Sequence, residues 1–161
     1  MTYIYPAAYT AEQLDSISGI TRLTDVAVEG KGIEDLTPFT PLTHIDYLWL
    51  EGNQIADLTP LTSLKNLTHF DARKNKIVDL TPLAALTGLT WLYLDDNQIV
   101  DLTPLASLTN LTRLNLKNNK ITTLAPLASL SNLAELYISG NDISPLEKSK
   151  LEEALPNCIM Q

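Results

Sequence analysis

The chain has 161 residues, 45% hydrophobic and 19% charged, enough for one folded domain with a continuous core. Its net charge of −8 argues against nucleic acid and against anionic membrane as partners. A single cysteine, Cys158, excludes an internal disulfide and a cysteine-built metal site.

The chain opens on an aromatic-rich lead containing Pro6. Thr10-Ala11-Glu12-Gln13 then has the form of a capping box and predicts a helix to about Ser18. Leu14, Ile17, Ile20 and Leu23 precede Leu36, Phe39, Leu42 and Ile45 by 22 residues each, so residues 1–22 read as an N-terminal cap with a half-coil in phase with the later repeats. The opening residues carry no basic-then-apolar leader, and no run of about 18 apolar residues occurs. Read as it stands the chain is cytoplasmic; it is secreted or at the cell surface if the natural chain begins upstream of residue 1.

Residues 23–143 are built of near copies. Asn53, Asn75, Asn97, Asn119 and Asn141 are spaced by 22, and six coils begin at Leu23, Ile45, Leu67, Leu89, Leu111 and Leu133. A strict period of this length specifies a solenoid whose coils bury their apolar edges only against neighbours. Each coil opens on an apolar-x-x-apolar-x-apolar segment such as Leu111, Leu114 and Leu116, whose alternation predicts a short strand, and stacking makes the strands a parallel sheet. The recurring asparagine falls where the chain leaves the sheet, and is given a structural role: its amide can bond turn backbone that apolar residues leave unpaired. Lys31, between Gly30 and Gly32, replaces it in the first coil.

The second half of each coil reads Asp-Leu-Thr-Pro-Leu, as in residues 79–83. Threonine before proline is read as an N-cap with proline at the first helical position. Leu80, Leu83 and Leu86, spaced by three, predict a short 3₁₀ helix. Ala125 lacks the hydroxyl that Thr37, Thr59, Thr81 and Thr103 carry, so its turn is expected to be less stable by about 0.5–2 kcal/mol. Asp35, Asp57, Asp79 and Asp101 recur at one place per coil and are read as turn caps, not cation ligands. Ser144-Pro145-Leu146-Glu147 is a second capping box, predicting a helix to about Leu155 that turns Leu146, Leu151, Ala154 and Leu155 to the stack and Glu147, Lys148, Lys150, Glu152 and Glu153 to water. Residues 144–161 are thus a C-terminal cap, with a last short strand over 158–160.

These phrases, Asn97-Gln98-Ile99-Val100-Asp101-Leu102-Thr103-Pro104-Leu105 and Leu108-Thr109-Asn110-Leu111-Thr112, resemble the leucine-rich-repeat pattern of the bacterial internalin-like kind, over roughly residues 14–141. The tail Leu151-Glu152-Glu153-Ala154-Leu155-Pro156-Asn157-Cys158 is similar to a cap that ends such proteins. The resemblance implies an α/β right-handed solenoid with a concave parallel sheet, short 3₁₀ turns on the convex side, helical caps at both ends, and protein binding as the activity.

With the leucines in the core, the residues between them face outwards in three rows. They are Asp25, Tyr47, His69, Trp91, Arg113 and Glu135; Ala27, Trp49, Asp71, Tyr93, Asn115 and Tyr137; and Glu29, Glu51, Arg73, Asp95, Lys117 and Ser139. Here the coils differ at almost every step. Both tryptophans and three of the six tyrosines fall in these rows, interleaved with arginine and carboxylates as at interface hot spots. Strands about 4.8 Å apart spread six coils over roughly 25 Å, enough for a standard interface. The candidate contact residues are Tyr47, Trp49, Glu51, His69, Asp71, Arg73, Trp91, Tyr93, Asp95, Arg113, Asn115, Lys117 and Tyr137. Charge is graded, with Asp25, Glu29 and Glu51 in the first coils and Arg73, Arg113 and Lys117 later, which sets a docking direction.

His44 and His69 lie apart with no cysteine near, so no metal is expected, and no cofactor. His69 and Asp71 lack a nucleophile and an enclosing pocket, which argues against an enzyme. The triplets Asn66-Leu67-Thr68 and Asn110-Leu111-Thr112 match a glycosylation acceptor but arise from the repeat. The expected function is a non-catalytic protein-binding module, monomeric by itself. Alternatives are a small acidic immunity protein neutralising a toxin, an adhesion fragment of a larger surface protein, and a designed solenoid, against which the varied rows argue.

Overall fold

The computed structural model describes residues 24–161, together with a short strand at Tyr3–Ile4. The helix expected over 10–18 and the positions Leu14, Ile17, Ile20 and Leu23 lie outside the described residues. Eight strands form one parallel sheet in sequential order: β1 (Tyr3–Ile4), β2 (Asp25–Ala27), β3 (Tyr47–Trp49), β4 (His69–Asp71), β5 (Trp91–Tyr93), β6 (Arg113–Asn115), β7 (Glu135–Tyr137) and β8 (Ile159–Met160). From β1 to β7 each strand pairs with the next at a step of one repeat, Tyr3 opposite Asp25 and Arg113 opposite Glu135. The last step, to β8, is longer, Glu135 opposite Ile159, because the helix of the C-terminal cap is inserted.

Strands β2 to β7 all bury their middle residue and leave its two neighbours half-exposed, with Asp71 as the exception. The core is one continuous stack of Leu, Ile and Val with Phe39 and Phe70 inserted, nearly all fully buried. At roughly 25 cal/mol per Å² each buried leucine adds about 1.5–3 kcal/mol, and none of it is available to an isolated coil.

Opposite the sheet, 3₁₀ helices form over Thr37–Phe39, Thr59–Ser63, Thr81–Ala85, Thr103–Ser107 and Ala125–Ser129. Their entry differs from the expectation. Threonine is the first helical residue, preceded by leucine, and no threonine side chain caps. The aspartate two residues earlier does so, its Oδ1 accepting the threonine N–H at 2.8 Å in Asp35, Asp57, Asp79 and Asp101. The threonine hydroxyl first and this N–H second hold all four carboxyls below their ordinary value. In the fifth coil the missing cap is therefore the aspartate, replaced by Thr123, and not the hydroxyl of residue 125. Thr123 Oγ1 accepts from Ala125 N–H at 3.3 Å, and Glu147 Oε2 accepts from Thr123 Oγ1 at 2.8 Å and Leu124 N–H at 3.0 Å.

Glu147 belongs to the helix α1 (Pro145–Ala154), whose N-cap Ser144 accepts the Glu147 N–H at 3.2 Å. Only half of the expected capping box forms, because the Glu147 carboxylate reaches across to the neighbouring coil. Leu151 and Leu155 pack on the stack as expected, whereas Leu146, 64% exposed, and Ala154 face solvent.

The asparagines form a spine. The Asn97 amide donates to Leu94 O in its own coil and to Ala72 O in the preceding one, both at 3.0 Å, and its Oδ1 accepts the Ile77 N–H. Ala72 O also accepts from Asn75, and Leu94 O from Asn119, so side-chain amides and carbonyls alternate along the stack. At its first end Asn53 Oδ1 accepts the N–H of both Lys31 and Ile33. A second ladder runs behind it: Asn66, Asn110 and Asn132 donate to Thr43, Thr87 and Thr109 O. The residues that matched a glycosylation triplet thus tie adjacent coils.

Candidate protein-binding face

Sheet register aligns the first two rows: Tyr47, His69, Trp91, Arg113 and Glu135 stand on successive strands, and so do Trp49, Asp71, Tyr93, Asn115 and Tyr137. Of the thirteen contact candidates all but Asp71 are partly exposed. Parallel pairing in register brings side chains of one row within reach of each other, and this face is closely interlocked. The rings of Tyr47 and His69 stack with centroids 4.3 Å apart, and His69 meets Trp91 edge-on at 4.6 Å. The Arg113 guanidinium lies 4.7 Å from the Trp91 ring centroid, Arg73 5.6 Å from that of Tyr93, and the Lys117 ammonium 5.0 Å from that of Tyr137. Such pairs each contribute about 0.5–1 kcal/mol at exposed sites and hold the rings in place.

Asp71 departs from the expectation. Placed among the outward residues, it is fully buried. Arg73 covers it, donating from Nε to both carboxylate oxygens at 2.9 Å and from Nη2 to Oδ2 at 2.6 Å. Arg73 Nη2 also lies 2.9 Å from Glu51 Oε2. Hydrogen bonding to Asp71 keeps the guanidinium more firmly protonated than usual. Arg113 bonds Glu135 at 2.6 Å, and Glu135 accepts from the Tyr137 hydroxyl at 2.8 Å. The expected acidic-to-basic gradient is accordingly flattened, since two of its three cations are neutralised within the face. The signal was present in the rows, where Glu51 precedes Arg73, and Arg113 precedes Glu135, by one repeat.

Glu135, outside the contact candidates, proves to organise Arg113 and Tyr137, and Lys74 adds a 2.7 Å ion pair to Glu51. Asp95 accepts from Asn115 Nδ2 at 2.8 Å, while burial pushes its carboxyl up. Burial pushes the His69 imidazole down, and its Nδ1 pairs with Thr68 Oγ1 at 2.8 Å. His69 is held between rings and Asp71 is held by Arg73, so the two do not form an acid–base pair. Among the described residues no cluster of metal-ligating side chains occurs, and no helix is long and apolar enough to cross a membrane.

A family model of two leucine-rich repeats matches residues 43–85, 65–107, 87–129 and 109–148 in overlapping steps. No curated protein sequence matches the chain. Among solved structures it is similar to an internalin (inlF) of Listeria monocytogenes, with TM-score 0.86 and 34% identity over 91% of this chain and 43% of that one. Internalin C2 (inlC2) of the same organism gives TM-score 0.84 and 36% identity, over 92% and 65% of the two chains. A leucine-rich-repeat protein of Leptospira interrogans gives TM-score 0.84 and 31% identity, over 90% and 38%. The chain spans from 38% to 65% of the length of these three. With the asparagine spine and the matched repeats together, the chain belongs to the leucine-rich-repeat family, in its bacterial internalin-like form.

Proposed function

We propose that the chain is a non-catalytic module, one repeat domain capped at both ends, that binds a protein partner through the outward face of its sheet. The observation that carries this is the contrast between coils that are near copies and three rows that change at almost every step. The contact set is Tyr47, Trp49, Glu51, His69, Arg73, Trp91, Tyr93, Asp95, Arg113, Asn115, Lys117 and Tyr137, with Asp71 acting beneath them through Arg73. Packed aromatics and arginines presented on a rigid sheet lose little conformational entropy on binding, which favours them as anchors. The likeness to internalins favours the reading as part of an adhesion protein over that of an immunity protein. The test is capture from lysates of the source organism and of candidate host cells, with wild type against Trp49→Ala/Trp91→Ala. A protein retained by the wild type and lost by an equally stable variant is expected, with affinity down at least tenfold; equal capture by both overturns the face.

A further inference from the structure

The second row alternates in size along the stack: Ala27, Trp49, Asp71, Tyr93, Asn115, Tyr137. A small residue between two large ones in register leaves a gap. The gap over Asp71 is filled by the Arg73 guanidinium. The gap over Asn115 stays open: a depression of about 370 Å³ lies between Tyr93 and Tyr137, with Arg73, Arg113, Lys117 and Glu135 around it.

Its cations are not all paired. Arg73 is balanced by Asp71 and Glu51, and Arg113 by Glu135. The Lys117 ammonium makes no ion pair with any described residue; it lies against the Tyr137 ring. Lys117 is thus the one cation lining the recess that has no carboxylate in ion-pair contact. The floor is already satisfied, Asn115 donating to Asp95 at 2.8 Å and accepting the Lys117 N–H at 3.2 Å. The Tyr93 hydroxyl accepts from Arg113 Nη1 at 3.5 Å and keeps its own hydrogen to give.

We infer that this recess takes one carboxylate side chain, aspartate or glutamate, of the partner protein, seated on the Lys117 ammonium and the Tyr93 hydroxyl; this rests on the sheet face being the binding surface. One ammonium without an ion-pair partner, with a hydroxyl donor on the same recess, matches one carboxylate. A phosphate, carrying nearly two charges, calls for a bidentate arginine free to turn to it, and both arginines here are already paired.

The probe is a synthetic Glu-Gly repeat peptide, with its Gln-Gly counterpart as control, titrated at low salt into ¹⁵N-labelled protein. Amide shifts confined to the coils around Asn115 and Lys117 are expected with the acidic peptide alone. They should weaken with added salt, and about tenfold in Lys117→Glu, while Lys117→Arg retains them. Unchanged core amides in each variant show that the fold is intact. The inference is overturned by an absence of shifts at millimolar peptide, by equal shifts with the Gln-Gly peptide, by indifference to Lys117→Glu, or by inorganic phosphate producing the same shifts as strongly. Partner capture that needs Trp49 and Trp91 but ignores Lys117→Glu sinks this inference alone. Capture indifferent to the tryptophans sinks the face reading beneath it.

Discussion

Gly30, Gly52, Lys74, Asp96, Asn118 and Gly140 are one position of six successive coils, and all six have positive φ, from 52° to 77°. The turn after each strand demands the left-handed region whatever the residue, and side chains there cost about 1–2 kcal/mol. Glycine is best tested where space is short. A Cβ on Gly140 would run into Asn118 Oδ1, whereas one on Gly52 would meet nothing nearer than Gly30 at 3.7 Å. Gly140→Ala is therefore expected to cost more than Gly52→Ala, which should lose only the backbone term of about 1–2 kcal/mol in chemical denaturation; equal losses would contradict the geometry. The spine makes a parallel distinction. Asn97→Ala leaves Ala72 O and Leu94 O their bonds from Asn75 and Asn119, but orphans the buried Ile77 N–H. The expected loss is about 1–3 kcal/mol, set by that one donor, and smaller for Asn141→Ala, at the less buried end of the spine. Denaturant midpoints check both.

Each 3₁₀ helix from Thr37 to Ser107 is entered through a carboxylate, which makes the convex side sensitive to acid. Asp35, Asp57, Asp79 and Asp101 have folded values below the ordinary 3.8. A carboxyl held low in the fold contributes stability that is complete above its unfolded value and is lost as pH falls through the folded one. Thermal melts of Asp57→Ala/Asp79→Ala/Asp101→Ala should thus show a deficit against wild type that is full near neutrality and shrinks below about pH 4. A deficit independent of pH would assign these residues another role. The aspartates are legible as turn caps because one short acceptor recurs once per coil. The group they cap is hidden from local reading, because Thr-Pro has the form of N-cap and N1, and leucine entering the turn carries no such signal. Glu147 is beyond local reading altogether: its bonds to Thr123 and Leu124 depend on how the terminal helix docks on the neighbouring coil.

Across the whole molecule, a translational repeat makes sequence spacing equal to spatial adjacency. Sheet order, register, core and rows can thus be taken from the period of 22, which the pairing of Tyr47 with His69 and of Trp91 with Arg113 repeats. What the period cannot convey is how side chains in adjacent rows share space. Asp71 and Tyr93 occupy the same row, yet one is buried and one half-exposed, because only Asp71 has an arginine two residues on to cover it. The same sharing flattens the charge gradient and opens the recess over Asn115. The binding role proposed for this sheet face is tested most directly with a photoactivatable residue. It is placed singly at Trp49, Trp91 or Tyr137 and, on the turns away from the sheet, at the exposed Val78 or Val100, then irradiated in lysates of the source organism and candidate hosts. Adducts of one common protein from the three face positions, and none from the two turn positions, are expected; adducts from the turns with none from the face would contradict the binding role assigned to the sheet.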